Sequence, residues 1–265
     1  VDFDFYARQY MLVVGASQKP VPGLEHIYYN AMHGFTLQNM LLLAPLMIGD
    51  SEELVRQKLR LVAHFLDILL TWRLWNFRSI AYSTLQYAMF QVMKDIRRLD
   101  VQPLAGKLYE TLKKEESTFS NNQRLYLHQQ NRWYLHRILA RMTDYLEMQS
   151  GSPSRFVEYI SDSIKDRYEI EHIWSKNYEF HRDEFSHPAD FNEYRNRIGG
   201  LLLLPKSFNG SYGALPYKEK LPHYNEKNLL ARSLHPLCYD HNPGFLTFLE
   251  KTGLPFHSYP DCTHK

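Results

Sequence analysis

The chain has 265 residues, of which 44% are hydrophobic and 23% are charged, and its formal net charge is +2. This composition is usual for a globular protein with a hydrophobic core. The small net charge means that any nucleic-acid binding would need a local basic surface. The two cysteines, Cys238 and Cys262, exclude a disulfide framework.

The N-terminus lacks the basic region and the long apolar run of a secretory signal peptide. The strongest apolar run, residues 40–48, is shorter than the roughly 20 residues that a bilayer-spanning helix needs. We therefore expect a cytoplasmic protein with no membrane segment.

Helical periodicity dominates roughly the first 160 residues. Thr36 could cap a helix through the run Leu41-Leu42-Leu43, and Ser51, followed by two glutamates, is a typical helix start. From there apolar residues recur at spacings of four and three up to about Trp75, which places them on one helix face. Further helices are predicted over residues 79–95, 103–114 and 123–147.

A breaker cluster, Ser150-Gly151-Ser152-Pro153, follows the last of these helices and marks the candidate domain boundary. After it, predicted strands are short and glycine, proline and asparagine are frequent. We therefore predict a helical domain over residues 1–160 and a small α+β domain over residues 161–265.

Two predicted strands in the second domain carry the residues of greatest interest. Tyr168–Ile173 contains the pair Glu171-His172, and Ile198–Pro205 enters its strand through Gly199-Gly200. Asn209 follows the second strand, and Lys218 and Lys220 come after it. Adjacent strand residues point to opposite faces, so Glu171 and His172 can share a site only if the strand bends or ends there.

These residue types suit phosphodiester hydrolysis. A neutral His172 can act as the general base that activates water. Oxygen atoms of Glu171 and Asn209 suit a hard ion such as Mg²⁺ or Mn²⁺, which would act as a Lewis acid on the phosphate. Lys218 or Lys220 would contact the phosphate backbone or the developing charge. Elsewhere, Leu24-Glu25-His26-Ile27 repeats the acid-histidine pair without the later parts, and we interpret His26 as a structural or surface residue.

This order of an acid-histidine pair, a second strand and an asparagine resembles that of ββα-metal (HNH) nucleases. The stretch 165–250 is similar to the C-terminal domain of GmrSD-like type IV restriction proteins and of SspE-type phosphorothioate-sensing proteins. The shared features are Glu171-His172-Ile173, the glycine turn, Asn209, and Tyr217-Lys218-Glu219-Lys220. The resemblance implies a metal-dependent DNA endonuclease, cutting foreign or modified DNA in bacterial defence.

The chain departs from this family at two places. Gly200 stands where the family usually has asparagine, and Trp174-Ser175 replaces an apolar-proline pair. The family usually has an N-terminal domain that binds and hydrolyses nucleotide, with an Asp-Gly-Gln-Gln-Arg motif that this sequence lacks. We expect either that such a domain precedes this chain in a longer protein, or that the chain is a stand-alone relative.

Each candidate residue also has a non-catalytic interpretation. Glu171 could form a salt bridge, Asn209 could be a turn residue before Gly210, and the lysines could be solvated. His223 is either a third metal ligand or a surface residue. Further candidates for nucleic-acid contact are Arg197 and Lys206.

Three wider alternatives stay open. Arg132, Arg137 and Arg141 share a helix face that either touches DNA or is simply solvated. His235, Cys238, His241, Cys262 and His264 could bind zinc, although their spacing fits no standard finger. The whole chain could be a catalytically silent DNA-binding or regulatory module of a restriction-type protein, or a helical scaffold for partner contacts.

Overall fold

A computed structural model describes residues 2–262 of the chain. The chain divides into two compact units, the first ending at Gln123 and the second beginning at Arg124. The predicted class, mainly α with a small α+β part, is confirmed. Within residues 2–262, no helix combines the length and the apolar composition that a membrane crossing requires.

The first unit is entirely helical within the residues described. Its helices are α1 (Asp2–Gln18), α2 (Glu25–Met32), α3 (Gln38–Leu43), α4 (Glu52–Trp75), α5 (Tyr82–Ile96) and α6 (Val101–Lys113). Helix α4 is central, because it contacts α2, α3 and α6. Its predicted N-cap is confirmed: the Ser51 hydroxyl accepts a hydrogen bond from the Leu54 N–H at 3.2 Å. The predicted apolar stripe of α4, from Val55 to Leu69, is buried.

The second unit contains seven α-helices and two strands among the residues described. Before the sheet come α7 (Arg132–Gln149) and α8 (Phe156–Ile160), and the strands are β1 (Tyr168–His172) and β2 (Leu201–Pro205) with α9 (Pro188–Arg195) between them. After β2 come α10 (Lys206–Tyr212), α11 (Tyr217–Tyr224), α12 (Leu229–Arg232) and α13 (Pro243–Thr252).

The start of α7 differs from the sequence prediction, which began this helix at residue 123. Residues 124–131 are instead held by hydrogen bonds to the chain before β2. Leu127 N–H donates to the Asn196 carbonyl at 2.7 Å, and Ile198 N–H donates to the Leu125 carbonyl at 2.8 Å. These non-local hydrogen bonds replace the helical ones, and α7 begins only at Arg132.

The division between the units also differs from the predicted boundary at residues 160 and 161. It falls after Gln123 because α7 packs against β2, α8, α12 and α13, all of which belong to the second unit. The breaker cluster after α7 is therefore a turn inside this unit.

The two strands pair antiparallel, with Tyr168 opposite Pro205 and His172 opposite Leu201. All four leucines of β2 are buried, because α7 and α12 pack against this strand. Helix α10 follows β2 directly and packs against both strands. An aromatic core surrounds the end of β1, with Trp174 stacked on Phe191 at a centroid distance of 6.2 Å.

Candidate active site at the end of strand β1

His172 is the last residue of β1, and Asn196 fixes the orientation of its ring. The His172 Nε2 and Asn196 Oδ1 atoms are 2.8 Å apart. The Asn196 Nδ2 donates to the Asn192 carbonyl at 2.8 Å, so the amide oxygen faces the imidazole as an acceptor. The proton of a neutral His172 therefore lies on Nε2, and its Nδ1 carries the lone pair.

The surroundings of His172 favour its neutral form. Burial, together with the smaller effects of the nearby cations Arg195, Lys220 and Arg132, lowers the pKa of His172 to about 4 against the opposing effect of the Asn196 hydrogen bond. An imidazole with this pKa is unprotonated at pH 7. Its Nδ1 is therefore available to accept a proton from water.

Glu171 lies in a different environment from His172, as the alternation of a strand requires. Its carboxylate is buried and its Oε1 is 2.5 Å from the Lys220 Nζ. The same ammonium group donates to the His172 carbonyl at 2.8 Å. Burial lowers the pKa of Lys220, and Glu171 opposes this shift. Helix α11 is thus tied to the end of β1 by a buried ion pair.

This pair bears on two sequence predictions. The salt-bridge alternative for Glu171 agrees with the structure, because one carboxylate oxygen is bonded to Lys220. Lys220 was predicted to contact nucleic acid, but its side chain is 0% exposed. From this position the ammonium group cannot reach a phosphate on the surface.

Asn209 has the property expected of an unused metal ligand. It lies in α10, and among the residues described its Oδ1 is buried without a hydrogen-bond partner. The unpartnered oxygen of Asn209 and the carboxylate of Glu171 are donors of the chemical type that Mg²⁺ prefers, since this ion takes oxygen ligands, is held by few protein groups and keeps several waters. The Lys220 ammonium competes for the charge of Glu171.

Other predicted ligands have different surroundings. The ring of His223 stacks on Tyr212 at a centroid distance of 4.0 Å. Over residues 2–262, no group of three or more His, Cys, Asp or Glu side chains is arranged to hold a metal ion. The zinc alternative therefore has no support among these residues, and its last member, His264, lies outside them.

The remaining predicted nucleic-acid contacts lie at the surface of the unit. Lys218 is exposed and pairs with Asp261 at 2.7 Å. Arg197 pairs with Glu193 at 3.1 Å and lies over the ring of Tyr194 at 4.8 Å. Lys206 is exposed at the start of α10.

Sequence reasoning missed Asn196 and Arg195 and left the effect of Gly200 open. A Cβ on Gly200 would lie 3.0 Å from the Arg195 carbonyl oxygen, so an asparagine there would require a shift of the backbone. Arg195 Nε donates to the carbonyls of Trp174 at 2.9 Å and Ser175 at 3.1 Å. The amide that contacts His172 comes instead from Asn196. The available signal was its place in Arg195-Asn196-Arg197, directly before the glycine turn.

Residues 110–242 match a family of restriction endonuclease domains, described as GmrSD restriction endonucleases, C-terminal domain. The match includes β1, β2, α10 and α11, and therefore the whole cluster around His172. The chain belongs to this family, a restriction-type endonuclease family whose substrate is DNA. Neither the curated proteins nor the solved structures contain a match to the chain.

Proposed function

We propose that this protein is a metal-dependent DNA endonuclease of the HNH type, with His172 as the general base. The observation that carries the proposal is the imidazole of His172, whose Nε2–H is directed to Asn196. This contact leaves the Nδ1 lone pair for a water molecule. The order β1, β2, α10, with α10 packed on both strands, supports a ββα-metal core.

In this mechanism Nδ1 of His172 takes a proton from a water molecule as its oxygen attacks the phosphorus. The bond between phosphorus and the leaving sugar oxygen then breaks. Lys220 holds the backbone of His172 through its carbonyl, and Asn196 holds its ring. A positioned base of this kind contributes about 10²–10⁴-fold to the rate.

Asn209 and Glu171 are the residues that would hold Mg²⁺ or Mn²⁺. When bound, the ion would polarise the phosphate and stabilise charge on the leaving oxygen. Lys218, exposed on the same helix as Lys220, is proposed to contact the phosphate backbone. By its resemblance to type IV restriction proteins, we propose a role in defence against foreign, modified DNA.

Conversion of supercoiled plasmid to open-circle or linear DNA tests this proposal. The full chain is incubated with unmodified or base-modified plasmid in Mg²⁺, Mn²⁺ or EDTA. The variants are His172→Ala and, as a matched control, His241→Ala, which replaces an exposed histidine of the same unit. We expect metal-dependent product from wild type and His241→Ala, and a loss of at least 100-fold in His172→Ala.

A second candidate function is a catalytically silent DNA-binding module. It is favoured by the Lys220 ammonium at 2.5 Å from Glu171, which neutralises a carboxylate that the metal would need. DNA binding without product from wild type in either metal ion, and unchanged in His172→Ala, would establish this function and refute the nuclease. Equal cleavage by wild type and His172→Ala would refute the assigned base.

A further inference from the structure

A pocket of about 400 Å³ lies between the start of α7 and strand β1, beside the cluster around His172. The α7 side of the pocket is formed by Arg132, Trp133, His136 and Arg137. The opposite side is formed by β1 and the chain that leads into it. Its size and open shape suit a segment of extended chain rather than a buried small molecule.

The pocket has a positive electrostatic character. Three arginines line it against two acids, and both acids are within ion-pair distance of the same arginine: Arg167 lies 3.2 Å from Glu169 and 3.9 Å from Asp162. Within the part of the chain described, Arg132 is exposed and has no ion-pair partner. Its charge is therefore available to an anion.

Arg137 is held in a defined position on the pocket wall. Its guanidinium carbon lies 3.5 Å from the centroid of the Trp133 ring, and its Nη1 donates to the Trp133 carbonyl at 3.2 Å. A guanidinium stacked on an aromatic ring is held in place and therefore loses little entropy on binding a phosphate. Such stacking is a common arrangement of phosphate-binding arginines.

His136 forms a hydrogen bond with the backbone of β1 and has a second ring nitrogen that can accept a hydrogen bond. Its Nε2 donates to the Tyr168 carbonyl at 2.9 Å, so the neutral ring has its lone pair on Nδ1. Burial lowers the pKa of His136, which keeps it neutral. Among the residues described, this Nδ1 is buried without a hydrogen-bond partner. A water molecule bound together with a ligand in the pocket would satisfy this atom.

Strand β1 leads from the pocket to the proposed active site. Tyr168 and Ile170 line it, and β1 runs from Tyr168 to His172. Four strand intervals span about 13 Å, close to the length of four base steps of a DNA strand. The positive charge of Arg132 lowers the pKa of both His136 and His172, so this cation lies close enough to interact electrostatically with each ring.

We propose that this pocket binds the phosphodiester backbone of the DNA strand whose scissile phosphate lies at His172, with Arg132 and Arg137 contacting its phosphates. The proposal rests on the proposed function for the position of the scissile phosphate. The proposal assigns DNA contact to Arg132 and Arg137 on α7, for which the sequence allowed either DNA contact or simple solvation. The occupant is DNA because the family acts on DNA and because guanidinium groups match phosphate geometry.

Equilibrium binding of a fluorescent duplex DNA, measured by anisotropy at several salt concentrations, tests this proposal. The full chain carries His172→Ala so that no cleavage occurs. Arg132→Gln and Arg137→Gln are compared with Arg182→Gln, which removes the same charge from an exposed arginine outside the pocket. Plasmid cleavage is measured in parallel with His172 intact. Circular dichroism checks that each variant is folded. If Arg137→Gln does not fold, Arg132→Gln alone provides the test.

We expect Arg132→Gln to weaken binding several-fold and to reduce the slope of log K against log salt by about 0.9, the value for one phosphate contact. Arg182→Gln should leave both quantities unchanged. Equal effects of Arg132→Gln and Arg182→Gln would overturn the assignment of the pocket, as would the absence of DNA binding at low salt. Normal cleavage with unchanged binding in Arg132→Gln overturns the pocket but keeps the nuclease. Weakened binding without cleavage by wild type supports the pocket and refutes the nuclease.

Discussion

The buried pair of Glu171 and Lys220 gives a quantitative test of how the end of β1 is held. The Nζ and Oε1 atoms are 2.5 Å apart, and the side chains are 0% and 5% exposed. Removing one partner of such a pair leaves an uncompensated buried charge, which costs about 3–5 kcal/mol. Replacing both partners by apolar side chains of similar length is often close to neutral. The two single substitutions and the double substitution should therefore be strongly non-additive.

The experiment is a double-mutant cycle of Glu171→Met and Lys220→Met, with the free energy of unfolding taken from urea titration. Each single variant should lose about 3–5 kcal/mol, and the double variant should lose less than either. A loss of 3 kcal/mol corresponds to roughly 6–12 °C in the unfolding temperature of a domain of this size.

Lys218→Met is the matched control for this cycle. Lys218 lies two positions earlier in α11 and pairs with Asp261 at 2.7 Å, but the two side chains are 75% and 60% exposed. Its substitution should cost at most about 1 kcal/mol. If the double variant loses the sum of the two single losses, the pair does not interact and the reasoning is refuted. An equal loss in Lys218→Met would show that burial is not the cause.

Two further predictions concern the imidazole of His172. Its pKa is about 4 in the folded protein and about 6.5 when unfolded, so the unfolded state binds more protons between these values. Stability from this group should therefore be lost as pH falls from 6.5 to 4, by about 3 kcal/mol in total. His172→Gln should remove that part of the pH dependence in urea titrations, whereas an unchanged profile would place the titration elsewhere. Asn196→Asp would give Nε2 a carboxylate partner and raise the pKa of His172, so the acid limb of kcat/KM for plasmid cleavage should move to higher pH. A limb that does not move would contradict the contact between residues 172 and 196.

Local sequence signals were sufficient to predict the helical part of this protein. The N-cap at Ser51 and the apolar stripe of α4 depend on interactions within about four residues, which a sequence pattern records directly. The two strands and their order could likewise be predicted from the sequence, because a short run of leucines bounded by glycine and proline is typical of a buried strand. Family membership followed from motifs in the same stretch.

Only the tertiary structure decided which side chains meet. The segment 124–131 favours helix locally, yet hydrogen bonds that join residues 125 and 127 to residues 198 and 196 keep this part of the chain out of the helix. Lys220 looks like a surface lysine in sequence, but the fold buries it against Glu171 across 49 positions of the chain. Asn196, the hydrogen-bond partner of His172, is 24 residues away in the sequence and is brought to the imidazole by the turn before β2. Periodicity and spacing report the propensity of a segment, whereas burial and ion pairing depend on which distant segment packs against it.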